Sequence, residues 1–237
     1  MSKVAWVTGG GSGIGAAVAQ TLAQDGWKVV ISGRDAEKLQ QVAKGSDQIV
    51  VQAVDVADRA AVETVHREIV DQYGPVQLLV NGAGVNVPKR TMADVIPEEW
   101  DRLMQINATG AFNCIYQVIP AMRRAKDGLI INISSTAGLR ASPLGGIAYN
   151  ASKFAMTAMG IGIGEEERSN GIRVTNIMPG EVDTPIMKNR PKPVSEEHRA
   201  SMLQPEDLAA AVRFVVQLPP RAHVWELVLK PTAQSYV

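Results

Sequence analysis

The stretch Val4-Ala-Trp-Val-Thr8-Gly-Gly-Gly-Ser-Gly-Ile-Gly15-Ala-Ala-Val-Ala-Gln-Thr-Leu-Ala23 decides the fold. Residues 3 to 8 read as a short strand of the fully buried kind, and Ala16 to Ala23 read as a helix. The turn between them is spaced Gly9-x-x-x-Gly13-x-Gly15, a variant of the common G-x-G-x-x-G pattern. Glycines let a backbone turn tightly and approach a pyrophosphate, and a helix N-terminus turns its N–H groups toward that negative charge. Strand, glycine turn and helix in this order form the phosphate-binding unit of a dinucleotide fold.

Lys28 to Ser32 is a second strand and ends in Gly33-Arg34-Asp35. A dinucleotide enzyme reads the adenosine ribose near this strand end. An acid there would bond the 2′-hydroxyl of NAD, whereas an Arg pairs with the 2′-phosphate of NADP. Arg34 supplies that charge, and Asp35 suits the N-cap of a helix over Ala36 to Ala43. Gln48 to Val54 is a third strand, closed by Asp55-Val56. Asp58 caps a helix with Val62, Val65, Ile69 and Tyr73 on one face. Val76 to Val80 is a fourth strand, ending in Asn81-Gly-Ala-Gly84. Pro97 opens a long helical stretch that runs through Asn107 to about Arg124.

Gly128 to Ser134 is a fifth strand with Ser135 just past its end, and Gly171 to Ile177 is a sixth, leading to Pro179-Gly-Glu-Val-Asp-Thr184. The run Glu165-Glu-Glu-Arg168 reads as a solvated face. Residues 185–204 carry three prolines and no clear period, so 184–205 reads as a substrate-binding loop. Pro205 starts a last helix, and Val224 to Leu229 is a seventh strand. The alternation predicts a single α/β domain over residues 1–237, with a seven-stranded parallel sheet covered by helices on both faces.

Lys plus Arg and Asp plus Glu both number 24, so no basic field invites nucleic acid or an anionic membrane. No apolar run is long enough for a membrane span, and a strand at the very start leaves no place for a signal peptide. The single Cys114 suits a reducing, cytoplasmic setting and reads as a buried inert thiol. Three scattered histidines lack metal-ligand spacing, so no metal is expected.

Within the helix that begins near Ala148, Tyr149 and Lys153 are four apart and share a face. A phenol has a pKa of about 10, and a nearby ammonium lowers it. Such a pair makes a proton donor that works near neutrality.

Thr8-Gly-x3-Gly13-x-Gly15, Asn81-Gly-Ala-Gly84, Asn107, Ser135, Tyr149-x3-Lys153 and Pro179-Gly-x-Val182-x-Thr184 together resemble the short-chain dehydrogenase/reductase family over essentially the whole chain. The segment from Val224 to Tyr236 resembles the branch of NADP-dependent 3-hydroxy acid and serine dehydrogenases. The resemblance implies that Tyr149 is the general acid or base and that Lys153 lowers its pKa and bonds the nicotinamide ribose. It implies that Ser135 holds the substrate oxygen and that Asn107 anchors a water of the proton relay. Gly9, Ser12, Gly13, Ile14 and Gly15 would line the pyrophosphate. Asp55 and Val56 would flank the adenine, Asn81 and Ala83 the ribose. Pro179, Val182 and Thr184 would sit at the nicotinamide, with Val182 and Thr184 fixing its carboxamide.

Two departures stand out. Gly82 replaces the family's second asparagine. Ser135 lies fourteen residues before Tyr149 where the family has thirteen, which leaves Thr136 and Ser134 as alternatives. The implied activity is hydride transfer between NADP(H), rather than NAD(H), and a small or medium carbonyl/alcohol pair, with 3-hydroxy acids among the candidates. A homotetramer or homodimer is expected. A lyase or epimerase on the same scaffold and a non-catalytic dinucleotide-binding regulator are the competing readings. Basic residues at the expected pocket wall (Lys89, Arg90, Arg140, Lys188, Arg190) could meet a substrate carboxylate, and taken one at a time they read as solvated side chains.

Overall fold

Runs such as Lys28-Val-Val-Ile-Ser32 and Gly128-Leu-Ile-Ile-Asn-Ile133 suit strands buried on both faces. The computed structural model, which describes residues 3–235, uses them in that way. Strands β1 (Val4–Thr8), β2 (Lys28–Ser32), β3 (Ile49–Val51), β4 (Val76–Asn81), β5 (Gly128–Ile133), β6 (Ile172–Pro179) and β7 (Glu226–Leu229) form one sheet. Their order is β3-β2-β1-β4-β5-β6-β7, and all the pairings are parallel. β1 has β2 on one side and β4 on the other, so the winding reverses there and opens a crevice at the C-terminal edge.

Helices α1 (Gly13–Gln24), α2 (Ala36–Ala43), α3 (Arg59–Tyr73), α4 (Pro97–Met104), α5 (Gly110–Ala125), α6 (Ile147–Glu167), α7 (Glu196–Ser201) and α8 (Pro205–Gln217) surround the sheet. Residues of α1, α2 and α8 build the core on one face. Residues of α3 and α5, with Met159 and Ile163 of α6, build it on the other. Ile31, Leu78, Leu79, Ile130 and Ile131 are wholly buried, and each such side chain contributes about 1.5–3 kcal/mol. Among the described residues no helix is long and apolar enough to cross a membrane, and no group of His, Cys, Asp and Glu could hold a metal ion.

Asp35 and Asp58 cap α2 and α3 through Lys38 N and Ala61 N, as expected. Several other expectations are corrected. β3 covers only Ile49–Val51, because it is an edge strand paired with β2 alone. The helix opened by Pro97 is interrupted at Gln105–Thr109 by a π turn around Asn107. Residues 185–204 are not structureless. They hold a 3₁₀ turn at Pro185–Asn189 and α7, capped by Ser195 on His198 N. Elements of five or six residues are too short to show a period. The run at 165–168 is only partly solvated: Glu167 is buried, pairs with Arg123 and accepts a hydrogen bond from Asn170. The hydrogen bonds from Arg123 hold its carboxyl below the usual range. Tyr236 of the C-terminal motif lies outside the described residues.

Three asparagines at equivalent strand positions form a buried amide ladder. Asn81 Nδ2 donates to Asn132 Oδ1 (3.0 Å), and Asn132 Nδ2 donates to Asn176 Oδ1 (3.1 Å). Asn176 Nδ2 then donates to the Thr157 carbonyl of α6 (3.1 Å). Gly160 packs directly on this ladder, and a Cβ there would press on Asn176 Oδ1 and lie 2.8 Å from Asn132 Nδ2. Alanine normally stabilises a helix interior relative to glycine, by about 1 kcal/mol. Here the overpacking should win, so Gly160→Ala should destabilise the protein by about 1–3 kcal/mol. Urea unfolding of both proteins checks this. An equal or higher midpoint for the variant would show that the amides have room to shift.

Candidate active site

The crevice begins at the glycine turn. Gly9 has φ +69° and its Cβ would lie 2.6 Å from the Gly82 carbonyl oxygen, so only glycine lets these two turns meet. Thr8 Oγ1 ties them by accepting from Gly82 N (3.2 Å) and Ala83 N (3.3 Å). Ser12, at the N-cap of α1, makes no side-chain cap, and the first turn carries no acid. The N–H groups there therefore face the crevice without a competing carboxylate. A Cβ on Gly13 would lie 3.0 Å from Thr184 Cγ2, which brings the loop after β6 onto the glycine turn. This cradle, closed to side chains and open to backbone N–H groups, fits a dinucleotide pyrophosphate.

The remaining cofactor candidates lie at the same sheet edge with different exposures. Ile14 packs on the core, and Gly15 sits against the Gly9 backbone. Arg34 is exposed. Asp35 pairs with Lys38 (2.8 Å), and hydrogen bonding to Lys38 lowers its pKa. Asp55 spends a carboxylate oxygen on Ala57 N (3.0 Å), and Val56 is buried. The Asn81 side chain is committed to the amide ladder inside the sheet, so only its backbone faces the crevice edge. Ala83 follows it, Pro179 ends β6, and buried Val182 is bridged to Leu203.

Tyr149, Ser135 and Lys153 come together beside this crevice. Ser135 caps a 3₁₀ turn, Thr136–Gly138, by accepting from Ala137 N (3.1 Å), and its hydroxyl also hydrogen-bonds the Tyr149 phenol. Ser134 is turned away, onto Thr157 Oγ1 (2.9 Å) and the Lys153 carbonyl (3.3 Å). Of the serine and threonine alternatives, Ser135 is therefore the one whose hydroxyl bonds the tyrosine. Lys153 Nζ donates to the Ile133 carbonyl (2.8 Å) and lies 5.7 Å from the Tyr149 ring centroid. Burial brings its pKa down to about 8.

Asn107 is fully buried. Its Oδ1 accepts from Val85 N (2.8 Å), and its Nδ2 donates to Val85 O (3.0 Å) and Ser152 Oγ (3.0 Å). Ser152 in turn donates to the Tyr149 carbonyl (2.9 Å). The side chain of Asn107 thus locks the loop after β4 to the first turns of α6.

Tyr149 stands in the wall of a cavity of about 520 Å³ that also touches Asn86, Arg90, Leu139, Leu144, Glu181, Met187 and Arg190. Burial pushes its phenol up and outweighs three opposing effects, which are the hydrogen bond from Ser135 and the charges of Arg90 and Arg190. Arg90 and Arg190 do not have the solvated character expected from the sequence. Arg90 is 6% exposed, and Arg190 pairs with Glu181. No sequence pattern marks them, because their partners are backbone carbonyls and a residue nine positions away. Cys114 is buried as expected, and its thiol is pushed up to about 12.

A family model described as "short chain dehydrogenase" matches residues 3–195. An uncharacterised oxidoreductase of Staphylococcus saprophyticus is 36% identical over 235 residues, with 97% of each chain covered. Among solved structures, a serine dehydrogenase in its closed form with NADP+ has 29% identity and a TM-score of 0.91, covering 98% of this chain and 96% of that one. A 3-ketoacyl-(acyl-carrier-protein) reductase from Brucella melitensis with NADH has 29% identity and a TM-score of 0.89, covering 97% of both.

The Lys153 environment has a thermodynamic consequence. Between pH of about 8 and 10.5 the unfolded chain holds this proton and the folded chain does not. Stability therefore rises with pH across that window through this group. Lys153→Met lacks the effect, so wild type should gain stability relative to the variant from pH of about 8 to 10.5. Denaturant unfolding at stepped pH checks it, and a flat difference would mean that Lys153 keeps its proton when buried.

Proposed function

The chain belongs to the short-chain dehydrogenase family and is an oxidoreductase of that type, and from that premise we propose that it moves a hydride between NADP(H) and a small or medium carbonyl/secondary alcohol pair. The observation that carries this reading is the Tyr149 phenol in the cavity wall, hydrogen-bonded to Ser135, beside the glycine cradle.

In the proposed mechanism the nicotinamide, when bound, supplies or accepts the hydride. Tyr149 gives its phenolic proton to the carbonyl oxygen in reduction and takes it back in oxidation. Ser135 donates to the same oxygen and orients it. Lys153, on the same face of α6, would bond the nicotinamide ribose and favour the phenolate of Tyr149. Asn107 holds the loop after β4 against α6 and would anchor a water of the proton relay. Val182 and Thr184 would hold the carboxamide, and Gly9, Ser12, Gly13 and Ile14 would hold the pyrophosphate.

Residues 3–235 act in this reading as one catalytic unit. Arg90 lines the cavity without a carboxylate of its own, beside Arg190, which is paired with Glu181. The Arg90 charge favours an anionic substrate, of which a 3-hydroxy acid is one example. NADP is preferred over NAD because Arg34 faces solvent where a 2′-phosphate would lie. The Asp35 carboxylate, which would repel that phosphate, is occupied by Lys38.

The test is an NADPH-oxidation assay on a panel of ketones with and without a carboxylate. Tyr149→Phe should retain NADPH binding and lose about 10²–10⁴-fold in kcat. Retention of more than about a tenth of the activity would remove Tyr149 from the chemistry. In the same assay wild type should prefer NADPH to NADH by about ten- to a hundredfold, given about 1.5–3 kcal/mol for a charge-assisted bond. Arg34→Ala should erase that preference by raising KM for NADPH alone. Equal losses with the two cofactors would show that Arg34 does not read the phosphate.

We propose a homotetramer or homodimer as the working form. α5 exposes Phe112 and Tyr116, and α6 exposes Phe154 and Ile161. Ala151, Ala155, Ala158 and Gly162 form a small-residue stripe on α6; the first two are half-buried, Ala158 and Gly162 are exposed, and nothing lies within 4 Å of a Cβ placed on Gly162, so the C-terminal part of the stripe is open to a neighbour. Sedimentation at micromolar concentration should give a multiple of 25.4 kDa, and Ala158→Arg should give the monomer. A wild-type monomer would refute the assembly.

A further inference from the structure

The segment between β3 and α3 follows β2 for a few residues and then leaves it. Gln52 N donates to the Ile31 carbonyl and Val54 N to the Gly33 carbonyl (3.0 Å each). Residues 55–58 then turn away into α3, closed by Asp58 N on the Asp55 carbonyl (3.0 Å). A turn that has left the ladder needs other partners for its backbone polar groups. The Val56 carbonyl finds one on α5, where Asn113 Nδ2 donates to it (2.9 Å).

Asn113 is 1% exposed and makes a second bond. Its Oδ1 accepts from Nε of Arg59, the first residue of α3 (3.0 Å). A guanidinium only donates, so the atom that faces Arg59 must be the amide oxygen. The Nδ2 end is thereby left to face the Val56 carbonyl, which only accepts. Arg59 is steadied on α5 in turn, with its guanidinium carbon 5.7 Å from the Phe112 ring centroid. The Val56 side chain is seated on the same helix. It is buried, and a Cβ on Gly110 would lie 2.5 Å from its Cγ2. Gly110 and Asn113 are three apart on one helix face, so α5 grips both the side chain and the carbonyl of Val56.

We propose that Asn113, oriented by Arg59, is a positioning residue for the adenine half of the cofactor. It fixes the turn at 55–57 against α5. Through Val54 and Gly33 it also keeps that turn in step with the strand end that carries Arg34. This rests on the dinucleotide reading of the glycine cradle, with Asp55 and Val56 beside the adenine. Asn113 itself lies behind the turn and acts through the Val56 backbone.

The test reads binding and needs no turnover. NADPH and NADH are titrated by their fluorescence. Adenosine 5′-monophosphate, the part that the two share, is titrated by calorimetry. Asn113→Leu keeps the size of the side chain and removes both of its bonds. It should raise the Kd of the better-bound dinucleotide and of the monophosphate by the same factor, about tenfold, as for one good hydrogen bond. Asn113→Asp keeps the Arg59 bond but sets an acceptor against the Val56 carbonyl, so it should lose at least as much. Arg59→Met frees the amide to turn over and should cost less, about two- to fivefold. With a responding carbonyl the defect should appear in KM for the cofactor and not in kcat. A side chain that merely packs α3 on α5 would lower the urea midpoint and leave the Kd values in place.

An unchanged monophosphate Kd in Asn113→Leu overturns the proposal. So does a loss with the dinucleotide that the monophosphate does not share, because the effect would then lie outside the adenine half. If Asn113→Leu does not fold, Arg59→Met decides, since Arg59 is exposed at the start of α3. A loss of about two- to fivefold there supports the proposal, and an unchanged Kd overturns it. Wild type that binds neither dinucleotide nor the monophosphate would instead remove the dinucleotide reading itself, which is a distinct result.

Discussion

The amide ladder Asn81–Asn132–Asn176 is the constraint on which the site geometry depends. It crosses β4, β5 and β6 at paired positions and ends on the Thr157 carbonyl of α6. Thr157 Oγ1 then meets Ser134 Oγ, which also donates to the Lys153 carbonyl. α6 is thereby held at one height and one rotation against the strand ends. A buried polar chain of this kind is stabilising only while its links are satisfied, so it tolerates little sliding. The absence of a side chain at Gly160 is part of the same arrangement, since it lets the helix backbone approach the amides.

With α6 held, the parallel sheet does the rest. Every strand delivers its C-terminal end to one edge, so segments far apart in sequence meet there. The glycine turn after β1 touches Gly82 after β4 and Thr184 after β6. Asn107 clamps Val85 to Ser152, and Arg90 ties three loops through their carbonyls. The π turn at Gln105–Thr109 gives Asn107 a local backbone different from the α-helices on either side. None of these contacts is local in sequence. Each joins segments that only the assembled sheet brings together.

The electrostatics follow from the enclosure. Taking Lys153 out of water lowers its hold on a proton, and the same enclosure pushes the Tyr149 phenol up. Ser135 and two arginines oppose that rise. Arg190 shares Glu181 with His198, and Arg90 has no anion of its own. The two arginines therefore work against the effect of burial on the phenol without overcoming it.

The sequence by itself determined the parallel sheet, the glycine turn after β1 and the shared helix face of Tyr149 and Lys153. Those features are written in short-range patterns: strand–glycine–helix at residues 4–23, caps at Asp35 and Asp58, and a four-residue spacing on one helix. The extent of β3, the break in the helix at Asn107, the short helix Glu196–Ser201 and the burial of Glu167 were decided by tertiary structure. So was the choice of Ser135 as the tyrosine's partner over Ser134 and Thr136, which spacing left open. Arg90 shows the reason most clearly. As a residue in Pro-Lys-Arg it reads as solvated, and only the meeting of three loops supplies the carbonyls that bury it. Local propensity and periodicity act over a few residues and can be read along the chain. Burial and charge partnership arise from long-range packing, and the folded structure alone assigns them.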